Sequence, residues 1–93
     1  YCVIPPRNSE DVKNEGNALN HCVASYIKRV IDDKCIILFL RLRKEMDKSL
    51  VTLEIEGNRV IQARGMSNRN ITNDERKALI EFCKKVGYDM KTN

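Results

Sequence analysis

The stretch Glu56-Gly57-Asn58-Arg59 lies between two runs that alternate apolar and polar residues, and it limits the fold more than any other part of the chain. Gly and Asn tolerate the positive φ that two-residue hairpin loops favour, so the flanking runs are expected to pair as antiparallel strands. A two-residue loop sets Glu56 opposite Arg59, Ile55 opposite Val60, Leu53 opposite Gln62 and Val51 opposite Arg64. Val51, Leu53, Ile55 and Val60 then share an apolar face on which Gln62 and Arg64 are polar exceptions. Buried amides and guanidiniums need partners, so these two side chains either emerge at the sheet edge or line a polar pocket.

Cys35 to Arg43 is the remaining strand candidate, with Ile36, Leu38, Leu40 and Leu42 on one face and Ile37, Phe39, Arg41 and Arg43 on the other. Upstream, Pro5-Pro6 holds the opening segment extended, and Ser9 followed by Glu10 and Asp11 marks a helix start. Gly16 and Asn17 interrupt that region, and Asn17 is placed to cap a fresh helix with the stripe Leu19, Cys22, Val23, Tyr26, Ile27 and Val30. Downstream, Thr72-x-x-Glu75 is a capping box, Ala78, Leu79, Phe82, Cys83 and Val86 form a stripe, and Gly87 suits a left-handed stop with Tyr88 folding back. Asp89 to Asn93 reads as a frayed tail. The expectation is therefore one α+β domain, a three-stranded antiparallel β-meander over residues 35–43, 50–56 and 59–64, packed with an N-terminal helical region over 9–31 and a C-terminal helix over 73–86.

With 93 residues there is material for one modest core. The chain starts at Tyr1 without a methionine, a basic segment or a cleavage motif, which suggests a piece of a longer protein and not a signal peptide. No apolar run approaches the ~20 residues of a membrane span, so no membrane partner is expected. Cys2, Cys22, Cys35 and Cys83 lack the close spacing of zinc or redox motifs, favouring reduced thiols, a cytoplasmic setting and neither metal nor cofactor. A net charge of +4, from 17 basic and 13 acidic residues mixed along the chain, permits a local phosphate-binding patch but only weak global steering.

His21 and Cys22 are neighbours in sequence, but on a helix Cys22 turns to the core and His21 away from it, the wrong geometry for a nucleophile and its base. His21 at the first turn of a helix capped by Asn17 is instead suited to an anion. Arg41, Arg43, Lys44 and Lys48 make a basic end on the sheet, where Phe39 is the one nearby aromatic and gives little support to a single-strand stacking platform. The loop Gly65 to Asn70 carries donors that suit an anion or simply solvent. Glu54 and Glu56 share a strand face, Arg59 giving Glu56 an ordinary cross-strand partner.

Gly16-x-x-Leu19-x-His21-Cys22-Val23-x-x-Tyr26, the strand ending Leu40-Arg41, Val51-Thr52-Leu53-Glu54, and Gln62-x-x-Gly65-x-x-Asn68 together resemble the PcfJ-like family of phage and conjugative-element proteins. The resemblance spans Gly16 to Asn68 and implies a domain carried by longer mobile-element proteins, without lending a reaction. It draws His21, Tyr26, Arg41, Gln62 and Asn68 together as the polar members of the pattern, and Arg64 joins them from the strand register. The expected function is binding of nucleic acid or another phosphate-bearing ligand. A small enzyme using His21 as general acid or base is one alternative. The other is a protein-interaction module presenting Ile37, Phe39, Ile61 and Ala63, unless the final helix covers that face.

Overall fold

The computed structural model describes the backbone of residues 1–20 and 24–90, and the side chains of all of these except 24–27. Its elements are β1 (Cys2–Ile4), α1 (Ser9–Leu19), α2 (Ala24–Ile31), β2 (Ile36–Arg41), β3 (Val51–Glu56), β4 (Arg59–Arg64), a 3-10 turn (Met66–Asn68), α3 (Asn73–Val86) and β5 (Asp89–Met90). The five strands form one sheet in sequence order, antiparallel except for the β4–β5 pair. The α+β class agrees with the sequence expectation, and the meander is its centre. Both outer strands escaped that expectation because they are two or three residues long and carry no alternation of their own.

The hairpin turns where expected, with φ 61 at Gly57 and no positive φ at Asn58, the arrangement of turns that put Gly first. Glu56 faces Arg59 and Ile55 faces Val60, but the next pairs are Glu54 with Gln62, Leu53 with Ala63 and Thr52 with Arg64. A β-bulge at Ile61 thus shifts the register by one residue, and a shift of one exchanges the two faces of a strand. The expected pairing of Leu53 with Gln62 and Val51 with Arg64 is corrected accordingly. Ala63, fully buried, takes the apolar position, while Gln62 and Arg64 join Thr52 and Glu54 on the opposite face.

That bulge resolves the burial problem and defines two layers of core. Leu40, Val51, Leu53, Ile55, Val60 and Ala63 pack under Leu79 and Cys83 of α3. On the other face Ile37, Phe39 and Cys35 meet Val12 of α1, with Ile4 and Val30 at the margin. Each large apolar side chain so enclosed contributes ~1.5–3 kcal/mol. The final helix covers the face opposite to Ile37 and Phe39. Those two residues are buried beneath α1 and α2, and Ala63 has moved to the α3 side, so the exposed apolar face behind the interaction-module reading is not present.

Helix ends follow side-chain capping. Asn8, one residue before the expected start, accepts from the Asp11 amide at 3.0 Å, and Arg7 closes back on the Asp11 carboxylate. Gly16 and Asn17 lie inside α1 and not at a new N-terminus, so the expected cap at Asn17 is corrected, while His21, the anion-site residue expected after it, lies outside the described residues. Val12, Glu15, Gly16 and Leu19 make one buried stripe, and the helix stops at Asn20 in the left-handed conformation, φ 53. The Thr72–Glu75 capping box is formed in both directions, Gly87 ends α3 at φ 77, and the Tyr88 ring returns edge-on to Phe82 with centroids 6.0 Å apart. Asp89 and Met90, expected in a frayed tail, pair with Arg59 and Val60.

Candidate functional site

Arg41 ends β2 on the face covered by α1 and is only 7% exposed. Its guanidinium donates to the Glu15 carboxylate and, at 2.8 Å, to the Met46 carbonyl, and lies 4.9 Å from the centroid of the Phe39 ring. Glu15 reaches down from the buried stripe of α1 and also accepts from the Ser49 hydroxyl at 2.7 Å and from Thr52 at 3.5 Å. Burial pushes the Glu15 carboxyl above its ordinary range, and this outweighs the downward pull of Ser49 and Arg41. Above the pair lies a cleft of ~560 Å³, lined by Ile4, Phe39, Asn14 and Asp47, with the Arg7–Asp11 pair among its walls. The chemistry of this arrangement is fastening: Arg41 spends its charge on Glu15, which secures α1 to the sheet.

Gln62 and Arg64 share the Arg41 face, two strands away, about 10 Å by strand spacing. Arg64 donates to the Asn70 side chain in the following loop. Asn68 is exposed, with φ 62, at the end of the 3-10 turn. The loop expected to offer amides to an anion uses them to close on itself: Gly65 N–H donates to the Arg69 carbonyl, Asn68 N–H to Gly65 and Arg69 N–H to Met66. A Cβ at Gly65 would stand 2.5 Å from the Arg69 guanidinium carbon, so any other residue there displaces the Arg69 side chain. The 3-10 turn meets the end of α1, where the Asn20 amide donates to the Ser67 hydroxyl at 3.3 Å. His21 and the side chain of Tyr26 lie outside the described residues. Of the six sequence candidates, the structure gathers Arg41, Gln62 and Arg64 on one sheet face and sets Asn68 just past the end of β4.

Two further ion pairs fasten the layers. Arg29 of α2 holds Glu54 at 3.2 Å and Glu56 at 2.5 Å, adding a helix-borne cation to the cross-strand pairing of Glu56 with Arg59 expected from sequence. Arg69 grips Glu75 through two bonds of 2.9 and 3.0 Å. Burial pushes Glu75 up, but Arg69 and the Thr72 amide together outweigh it and hold the carboxyl below its ordinary range. Burial likewise raises the Cys35 and Cys83 thiols, which keeps both in the poorly nucleophilic protonated form. Among the described residues no cluster of three His, Cys, Asp or Glu side chains is arranged to hold a metal.

The exposed cations lie elsewhere. Between the edge strand β1 and α3 runs a groove of ~320 Å³ lined by Arg43, two residues past the end of β2, Lys85 and Glu81 from α3, and the aromatic residues Tyr1 and Phe82. Ala78, Glu81, Phe82 and Lys85 recur every three or four residues and so form one stripe of the helix. Tyr1 and Val3, two apart on the extended segment, present the facing wall. Lys44 and Lys84 are exposed neighbours in sequence of the two lining cations.

A family model described as PcfJ-like protein matches residues 1–80. The chain belongs to the PcfJ-like protein family. The uncharacterised protein Lin1253/Lin1744 of Listeria innocua is 40% identical to it over 88 residues, which cover 92% of this chain and 19% of the relative. The PcfJ-like chain therefore spans about a fifth of the length of the curated relative it matches. No solved structure matches it.

In this PcfJ-like domain several positions of the pattern are explained by packing: Arg41 by Glu15, Glu54 by Arg29, Gly65 by Arg69. Glu15 was not singled out from the sequence, although its place between Val12 and Leu19 on the buried stripe was a readable signal. Lys85 and Phe82 were missed as site residues because only the fold of β1 beside α3 brings them to Arg43 and Tyr1.

Proposed function

We propose that this domain binds nucleic acid, as one part of a longer protein of a phage or other mobile element, and that the contact surface is the groove between β1 and α3. The observation that carries this reading is the pairing of two exposed cations, Arg43 and Lys85, with two aromatic rings, Tyr1 and Phe82, around one opening. Cations neutralise phosphates and rings accept base faces, the combination common to nucleic-acid-binding surfaces. By contrast Arg7, Arg29, Arg41 and Arg69 are each paired with a carboxylate. The mobile-element setting rests on the resemblance of the sequence pattern. Free thiols at Cys2, Cys35 and Cys83 agree with a cytoplasmic location, and no helix among the described residues is long and apolar enough to cross a membrane.

Fluorescence anisotropy with labelled DNA and RNA, scanned from about 50 to 200 mM salt, tests the reading. Affinity should fall as salt rises, and Arg43→Gln or Lys85→Gln should each lower the salt slope by about one. Absence of binding to either polymer at the low-salt end overturns it.

A further inference from the structure

Resting on that nucleic-acid reading, we infer that the groove between β1 and α3 selects single-stranded nucleic acid by taking an unpaired base between its aromatic and apolar walls while Arg43 and Lys85 hold the flanking phosphates.

Three features lead to this ligand class. First, the opening is a concave space of ~320 Å³, the scale of a small-ligand pocket, whereas a duplex presents a broad convex surface. Second, its lining combines two chemistries: Val3, Leu40, Ala78 and Phe82 are buried or half-buried apolar residues, while Tyr1, Arg43 and Lys85 are exposed. An unpaired base has free faces for such a lining. In a duplex those faces are covered by neighbouring bases, and extruding one costs unstacking energy. Third, the Phe82 ring is held by its edge-on contact with Tyr88, 79° between planes, so this wall is preorganised. Glu81 also lines the groove, one turn from Lys85, and its carboxylate disfavours phosphate at that point. Phosphates are therefore directed to the Arg43 side and to the Lys84–Lys85 end.

The sequence alone argued the other way, since Phe39 was the one aromatic close to the basic strand end. In the fold Phe39 is 3% exposed beneath α1, and the rings that flank Arg43 come from the two ends of the chain instead.

The test compares, by anisotropy on the full 93-residue chain, one short mixed-sequence oligonucleotide as single-stranded DNA, as single-stranded RNA and as a DNA duplex, at the same salt. The expected result is single-strand binding at least ~10-fold tighter than duplex binding, with Tyr1→Ala lowering the single-strand affinity ~10-fold while changing duplex binding little. Phe82→Leu, which keeps an apolar side chain but removes the ring, should act in the same direction, with urea midpoints confirming that both variants are folded. Preference for either single-stranded polymer supports the inference. Equal or tighter duplex binding, or single-strand affinity unchanged in both ring variants, overturns it and leaves the nucleic-acid reading standing. No binding to any of the three polymers overturns the reading and the inference together.

Discussion

Replacing Glu15 by alanine should be among the most damaging single substitutions in this domain, although the residue is charged and sits on a short helix. In the native chain the Glu15 side chain is 1% exposed and accepts from Arg41, Ser49 and Thr52. Alanine leaves the guanidinium of Arg41, a residue only 7% exposed, without its counter-ion, and its Nε already has no hydrogen-bond partner. Removing one member of a buried pair costs ~3–5 kcal/mol. For a domain of this size each kcal/mol lowers Tm by ~4–8 °C, so even the lower bound predicts a fall of more than ~10 °C. Glu15→Gln keeps an acceptor for Arg41 and Ser49 and removes the cost of burying a carboxylate, so its loss should be smaller, ~1–2 kcal/mol. The assay is urea unfolding followed by circular dichroism, extended to Arg41→Met and the double variant Glu15→Ala/Arg41→Met. If the two residues act as a fastener, the double variant is less destabilised than the sum of the singles by at least ~1.5 kcal/mol. A Glu15→Ala midpoint within ~1 kcal/mol of the native chain, or additive singles, would refute the reasoning.

Glu15 and Glu75 should respond oppositely to pH. The Glu15 carboxyl is raised in the fold, so its contribution is full below the unfolded value of ~4.3 and is lost as pH rises through the folded value; the stability gap between the native chain and Glu15→Gln should narrow over that window. The Glu75 carboxyl is lowered, so its contribution is present above ~4.3 and lost as pH falls through the folded value; the gap to Glu75→Gln should shrink on acidification, checked by urea midpoints across pH. Gly65→Ala should cost ~1–3 kcal/mol, because its Cβ collides with Arg69 and displaces the grip on Glu75, and an unchanged urea midpoint would contradict that account. Thr72→Ala should cost ~1 kcal/mol through loss of the cap to the Glu75 amide, visible in the same measurement.

The central strands, the hairpin turn and α3 were legible because each carries a local physical signal: alternation for the strands, a Gly-Asn pair for the turn, a capping box and a Gly stop for the helix. The bulge at Ile61 was not. It adds one residue against an otherwise regular partner strand, and Ala63 is favoured over Gln62 opposite Leu53 by burial in three dimensions. The polar exceptions inferred from the unbulged register were thus an early view of a real conflict, which the chain settles by slipping rather than by forming a polar pocket on the apolar face. At the opposite end, β1 and β5 are too short to read and exist through their partners, β2 and β4. Arg41 was identified as special from the sequence pattern, but its role depended on Glu15, 26 positions away. The groove depends on proximity of still longer range, which brings Tyr1 into one lining with Phe82 and Lys85 and which neither spacing nor periodicity encodes.

The most direct test of the central claim is an amide chemical-shift titration of the isotopically labelled chain with a short single-stranded oligonucleotide. The largest changes should gather at Val3, Arg43, Lys44, Glu81, Phe82 and Lys85, around the groove between β1 and α3, and spare Asn14, Glu15 and Asp47 at the cleft. Changes centred on the Glu15–Arg41 cleft, or none anywhere, would contradict that claim.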